Sequence, residues 1–260
     1  MEKKGILVVS FGTSYAHTRA LTIEAIENAV RHAYPGMDVY RAWTSKRIVQ
    51  KILMTTGEKI ADVKEAMALM AKDGITHVYI QPTHVINGFE NDQMREDALK
   101  FQEDFAQIRF GAPLISSTED MLRMVKIISA SFENMGADEA LILMGHGSAH
   151  HANTVYAALD YMFKEAGHPN IYVGTVEAYP ELSHVLPRLK GRGIKRIHLA
   201  PLMIVAGDHA VNDMASDEKD SWRIRCEKEG YQVICHLKGL GEYPQVRTLL
   251  LKHLKASMNP

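Results

Sequence analysis

Short apolar runs alternate with longer stretches of helical spacing along the whole chain. Gly5 to Ser10 (GILVVS) is unbroken in aliphatic character and predicts a strand covered on both faces. From Thr18 to Tyr34 the apolar positions Ile23, Ile26, Ala29 and Val30 share one helical face, and Pro35-Gly36 stops the run. The pattern then predicts a strand at Asp38 to Trp43, helices at Ser45 to Met54 and Asp62 to Lys72, and a strand at His77 to Gln81. Pro82 opens the loop THVINGFEND. A helix at Asn91 to Phe105, a strand at Ile108 to Pro113 and an amphipathic helix at Ser117 to Met135 complete this series. A second series follows in the same order. Strands are predicted at Ala140 to Met144, Ile171 to Val176, Arg196 to Ala200 and Tyr231 to Cys235. The helices between and after them are Val155 to Lys164, Glu181 to Lys190, Asp217 to Lys228 and Tyr243 to Met258, and LMIVAGDHAVND reads as a loop. Strands alternating with helices imply crossover connections and parallel sheets.

The recurrence extends to residues. LVVSFGTS (Leu7 to Ser14) aligns with ILMGHGSA (Ile142 to Ala149), setting Phe11 against His146. VYRAWTS (Val39 to Ser45) aligns with IYVGTVE (Ile171 to Glu177), setting Ser45 against Glu177. Val78 to Glu90 aligns with Ile197 to His209, matching Pro82 with Pro201, Gly88 with Gly207 and Glu90 with His209. A duplication on this scale makes two similar domains, not a short-period solenoid. The expected fold class is α/β, with two similar open, mainly parallel-sheet domains facing across a cleft. The boundary is placed within Ser117 to Ala137, giving halves 1–125 and 126–260, the second carrying most of the candidate ligands. A purely structural pseudo-dimer would show the same duplication.

Composition narrows the function classes. A net charge of −1 and the absence of a basic tract argue against nucleic acid as a partner. No stretch approaches the roughly 18 apolar residues of a membrane span, and the first apolar run is too short for a signal-peptide core. Cys226 and Cys235, the only cysteines, match no paired metal or redox motif, so a reducing, cytoplasmic setting is expected. Met67, Met70, Met121 and Met124 read as core filler rather than soft-metal ligands.

Chemistry concentrates where apolar runs stop. Ala140 to His151 reads ALILMGHGSAHH: a buried strand ending in His146, with Gly145 and Gly147 on either side. In open α/β sheets the carboxyl ends of strands are where ligands bind. A His that merely caps the corner would leave the same trace. Glu90, Glu177 and His209 also lie just past equivalent strand ends. Imidazole and carboxylate are the donors expected for a borderline divalent ion such as cobalt, nickel, iron or zinc. Two His and one Glu would leave coordination positions open, unlike a closed structural zinc site. Glu90 and Glu177 could each equally be ordinary loop carboxylates. His150 and His151 look like helix-capping residues, and His84, beside Val85 and Ile86, like a partly buried one. P-loop, dinucleotide-binding and hydrolase-elbow motifs are missing.

VVSFGTS, QPTHVINGFE, MGHGSAHH, VGTVEAYPE, PLMIVAGDHAVNDMASDEKDSW and GLGEYP together resemble the anaerobic cobalt chelatase family CbiK. This family belongs to the class II chelatases, which work without ATP or helper subunits. The resemblance extends over essentially the whole chain, with no departure at Glu90, His146, Glu177 or His209.

What the resemblance implies is insertion of Co²⁺, as substrate metal, into sirohydrochlorin or its precursor precorrin-2 on the early-cobalt route to cobalamin, without a nucleotide. It further implies that His146, Glu177 and His209 hold the metal, that His146 accepts a proton, and that Glu90 faces them. An iron or nickel chelatase for a related tetrapyrrole, or a non-catalytic metal- or haem-binding protein, are the rival readings. Metallation must remove two pyrrole N–H protons, and Glu90, or His146 once the metal departs, could accept them. An imidazole binds metal only when neutral, so affinity should fall as pH drops. Phe11, Gly12, Thr13 and Ser14, with Gly88, could line the substrate slot, and Lys46 and Arg47 could meet the substrate's carboxylates. A homo-oligomer is compatible with the sequence, the closing helix packing either on the first half or on a partner chain.

Overall fold

The structure, a computed structural model, describes residues 2–259. It divides into two compact units, Met1–Ser116 with Gly241–Pro260, and Ser117–Leu240. The halves expected at 1–125 and 126–260 are thus redrawn at both ends. Helix α6 (Thr118–Ser131) goes whole to the second unit, and α10 (Pro244–Met258) returns to the first.

In the first unit, β1 (Lys4–Ser10), β2 (Asp38–Trp43), β3 (His77–Pro82) and β4 (Gln107–Phe110) form a parallel sheet of order β2-β1-β3-β4. Successive side chains of a strand point to opposite faces. Leu7 and Val9 join one core with Met67 and Met70 of α4 (Val63–Lys72) and Met94 of α5 (Phe89–Leu99). Ile6 and Val8, pointing the other way, are buried as well, which is why Ile6 to Val9 are all aliphatic. Helix α10 packs on β3, β4 and α2 (Ile23–Ala33), burying Val246, Leu249, Leu250 and Leu254. Each such aliphatic side chain contributes about 1.5–3 kcal/mol when fully buried.

The second unit repeats the design. Strands β5 (Glu139–Gly145), β6 (Ile171–Thr175), β7 (Arg196–Pro201) and β8 (Gln232–Cys235) run parallel in the order β6-β5-β7-β8. Its main core joins Ile142, Met144, Tyr172, Leu199, Met214 and Trp222. Register agrees with the sequence repeat position by position. Val9 pairs with Ala42 and Pro82, and Met144 pairs with the matching Gly174 and Pro201. On the edge strand β6, the Asp160 carboxylate of α7 (Thr154–Glu165) accepts the Val173 backbone N–H at 2.9 Å.

Four elements differ from the expected pattern, each for a local reason. The helix expected at Thr18 to Tyr34 is broken at Thr22 into α1 (Ala16–Leu21) and α2. There the Thr22 hydroxyl donates back to the Thr18 carbonyl at 2.5 Å, a side-chain bond that competes with helix continuation. The helix expected at Asn91 to Phe105 starts earlier, with Gly88 at its N-cap, and ends at Leu99 before a short 3₁₀ turn, Gln102–Asp104. At Glu181 to Lys190, α8 (Leu182–Val185) passes into the 3₁₀ segment Leu186–Leu189, where Pro187 has no N–H for an α-helical bond. Helix α9 (Trp222–Lys228) begins only after Ser221, whose Oγ accepts the Ile224 N–H at 3.2 Å. A further difference bears on chemistry: within the expected loop LMIVAGDHAVND, residues His209–Met214 form a π-helical turn.

Candidate metal centre

Three adjacent strands of the second unit deliver three side chains to one point. His146 follows the central strand β5, Glu177 follows β6 on one side, and His209 opens the π turn beyond β7 on the other. Strand pairing continues past the strand ends: the Glu177 N–H donates to the His146 carbonyl at 2.9 Å, and Leu202 N–H to the Met144 carbonyl at 2.7 Å. Residues 31 and 63 positions beyond His146 in the chain are therefore brought beside it by sheet geometry alone.

One ligand atom from each of His146, Glu177 and His209 lies within 4.8 Å of the others. The Glu177 carboxylate spans the two rings, with Oε2 3.7 Å from His146 Nδ1 and Oε1 3.9 Å from His209 Nε2. The imidazoles meet edge to face, centroids 4.7 Å apart and planes at 89°. At metal–ligand distances of about 2.0–2.2 Å, donors on opposite sides of one ion stand about 4 Å apart. The Glu177 side chain is 54% exposed. The donor set and its partial exposure suit a divalent ion held with positions open to further ligands.

The rings are held from behind. His146 Nδ1 donates to the Gly147 carbonyl at 2.8 Å. His209 Nδ1 donates to Asp213 Oδ2 at 2.7 Å, a partner four residues along the π turn. Asp213 is the neighbour of the candidate ligands that the sequence reading missed: a His and an acid four apart are visible, but the segment reads as a loop. Asn153 links the loops on either side of Gly147: its Oδ1 accepts the Ser148 N–H at 3.0 Å, and its Nδ2 donates to the Tyr179 carbonyl at 2.6 Å.

Gly147 is fixed by two requirements. Its φ is +89°, and a Cβ there would stand 2.8 Å from Ala178 N and 3.0 Å from Thr175 Cβ. Its counterpart Gly12 has φ +103°, with the Trp43 ring in the corresponding space. Gly147→Ala is expected to destabilise the second unit by about 1–3 kcal/mol. It should also push the His146 and Glu177 loops apart, so Co²⁺ affinity by calorimetry should fall together with the urea midpoint. Gly145, by contrast, leaves room for the Tyr156 ring rather than for the imidazole.

The equivalent positions of the first unit do not gather donors. Phe11, Ser45 and Glu90 stand where the second unit has His146, Glu177 and His209. The backbone there is the same, with Ser45 N–H donating to the Phe11 carbonyl at 3.2 Å. Glu90 is exposed in the first turn of α5. Phe11 is exposed, Ser14 half-buried, and Gly12, Thr13 and Gly88 are buried. Thr13 Oγ1 accepts the Tyr15 N–H at 3.2 Å, so its hydroxyl serves the turn. Lys46 and Arg47 are exposed at the start of α3 (Lys46–Thr56), whose N-cap is Ser45. His150 caps the turn leading to α7, its Nδ1 accepting the Ala152 N–H at 3.1 Å. Burial pushes the His84 imidazole down to about 4, and its Nε2 lies 3.4 Å from Thr44 Oγ1. It is a neutral, inward-facing residue.

Comparison with known proteins follows the same lines. Residues 4–259 match the family model described as cobalt chelatase (CbiK). A sirohydrochlorin cobaltochelatase of Salmonella typhimurium is 38% identical over 257 residues, covering 99% of this chain and 97% of that protein. The sirohydrochlorin cobaltochelatase CbiKC of Nitratidesulfovibrio vulgaris is 34% identical over 262 residues, covering 100% and 92%. Among solved structures, SirB from Bacillus subtilis with Fe³⁺ superposes with a TM-score of 0.67 at 12% identity, covering 99% of this chain and 96% of SirB. CbiX, the terminal enzyme of siroheme biosynthesis in denitrifying bacteria, gives 0.62 at 19% identity, covering 97% and 99%. At such identities these two structures establish the shared α/β fold.

Proposed function

This chain belongs to the cobalt chelatase (CbiK) family, and from that premise we propose that it inserts Co²⁺ into sirohydrochlorin at a centre formed by His146, Glu177 and His209. The observation that carries the reading is the convergence of those three donors, half-exposed, past the ends of three neighbouring strands.

The chemistry follows from what each group can do. His146 and His209, as neutral imidazoles, take the cation from water, and Glu177 offsets part of its charge. Because the three donors gathered among the described residues leave positions open on the ion, pyrrole nitrogens can replace water there without first displacing a protein ligand. As the ion passes into the macrocycle, His146 loses its partner and becomes an acceptor for a pyrrole proton. The second pyrrole proton passes to water. The sequence contains no phosphate-cradling loop, and in this reading no nucleotide takes part.

The test is direct. Metal-free protein is mixed with sirohydrochlorin and Co²⁺, Fe²⁺ or Ni²⁺ without ATP, and the visible spectrum of the macrocycle is followed. Multiple turnovers with Co²⁺, faster than the protein-free control, are expected. Stoichiometric binding without turnover would instead mark a carrier, and faster turnover with another ion would reassign the metal. His209→Ala should weaken Co²⁺ binding by more than the roughly 10- to 100-fold that follows loss of a residue hydrogen-bonded to a ligand. Unchanged binding by calorimetry would remove His209 from the ligand set.

A further inference from the structure

We propose that Asp213 is a positioning residue that makes His209 the anchoring ligand of the centre: it fixes the ring with the proton on Nδ1 and turns the Nε2 lone pair onto the cation. This rests on the metal-centre reading above and adds a division of labour between its two histidines.

The geometry distinguishes them. His209 Nδ1 lies 2.7 Å from a carboxylate oxygen of Asp213, whereas His146 Nδ1 lies 2.8 Å from the peptide carbonyl of Gly147. A ring N–H given to an anion makes the opposite nitrogen a better donor than one given to a neutral carbonyl. His209 is therefore the ring whose Nδ1 hydrogen bond runs to a carboxylate of its own turn, and the one on which the centre is anchored. The π turn provides the placement. Its wide i→i+5 winding keeps residues four apart on the same side, and such turns occur frequently at functional sites.

Little else in the turn depends on Asp213, whose side chain is 46% exposed. Ala210 and Met214 anchor the turn in the core. Arg223 holds its far end through the Ala215 and Ser216 carbonyls, at 3.2 and 3.1 Å. Asn212 Nδ2 donates to Asp208 Oδ1 at 3.0 Å. Removing the Asp213 carboxylate should thus leave the segment folded, which separates positioning from structural support.

The experiment uses the full chain, metal-free and labelled with ¹⁵N-histidine, with tautomers read from long-range ¹H–¹⁵N correlations and Co²⁺ affinity from calorimetry. In the unsubstituted protein His209 should carry its proton on Nδ1. Asp213→Ala should shift the ring towards a tautomer mixture and weaken Co²⁺ binding about 10- to 100-fold. Asp213→Asn, which keeps an acceptor oxygen without the charge, should hold the tautomer and lose part of the affinity. A proton on Nε2 in the unsubstituted protein, or an Ala variant with unchanged tautomer and affinity within twofold, would overturn the assignment. If the Ala variant fails to unfold cooperatively, the Asn variant decides, and Co²⁺ binding as tight as in the unsubstituted protein counts against the proposal. His209→Ala separates the two levels. If it alone weakens binding, only the role of Asp213 falls; if it too leaves binding unchanged, the centre itself falls and Asp213 with it.

Discussion

Replacing His146 by alanine is expected to slow metallation by about 10²- to 10⁴-fold, the range for a positioned acid–base group, and to leave the fold intact. Two functions meet in this side chain: it is one of three donors to the cation, and it faces the second imidazole edge-on, where a released proton can be taken up. It follows a buried strand but is itself 37% exposed, and its Nδ1 bond goes to the neighbouring peptide carbonyl rather than to a distant element. Truncation therefore leaves no cavity in the core. Thermal unfolding should be nearly unchanged while the spectral conversion of sirohydrochlorin almost stops. The two histidines should also differ in kind. His209→Ala should act mainly by raising the Co²⁺ concentration needed, and His146→Ala mainly by lowering the maximal rate. Near-normal turnover by the His146 variant would exclude it from the mechanism.

The largest loss of stability is expected from Asp160→Ala, at about 3–5 kcal/mol, the cost of breaking a buried charge cluster by removing one partner. The Asp160 carboxylate is buried at the edge of the second sheet. It accepts Arg188 Nη2 at 2.6 Å, Lys164 Nζ at 2.8 Å and the buried Val173 N–H at 2.9 Å. Burial alone would raise its proton affinity; Arg188, Lys164 and the Val173 N–H outweigh that and hold the carboxyl below its usual range. The alanine variant leaves the Val173 amide without that acceptor and takes the carboxylate from a Lys164 ammonium that keeps its bond to the Ile171 carbonyl and lies over the Tyr172 ring, 4.2 Å from its centroid. Because the folded carboxyl is depressed, its contribution is complete above the unfolded-state value of about 3.9. It is lost as pH falls through the lower folded value. The gap between the two urea midpoints should accordingly narrow in strong acid. A gap unchanged at low pH would show that the lost packing, not the charge, sets the cost.

Much of this architecture can be read from the one-dimensional pattern because a parallel strand covered on both faces is mostly aliphatic. GILVVS and ALILM announce their strands for that reason, and the internal alignment of these segments predicts which residues share a register. The pairing of Val9 with Pro82 and of Met144 with Pro201 follows that alignment. It also explains the candidate site, since three aligned strand ends bring His146, Glu177 and His209 together. Irregular features were less accessible. A π turn has no repeating apolar signature over six residues, and the small polar residues of GDHAVND resemble a connection. Thr22 interrupts its helix through a side-chain bond that periodicity cannot register. Placement of the last helix was open for another reason: its buried stripe of Val246, Leu249, Leu250 and Leu254 requires an apolar sheet face, but either sheet could provide one.

The return of that helix to the first unit has a consequence for biogenesis. The sheet of the first unit is made before the second unit but completed after it, because the segment covering β3 and β4 emerges only once Leu240 has been passed. The second unit, continuous from Ser117 to Leu240, has all its parts earlier and can reach its native state while its predecessor is still waiting. Premature termination near residue 240 would then expose the older half of the polypeptide to chaperones and proteases, and spare the younger.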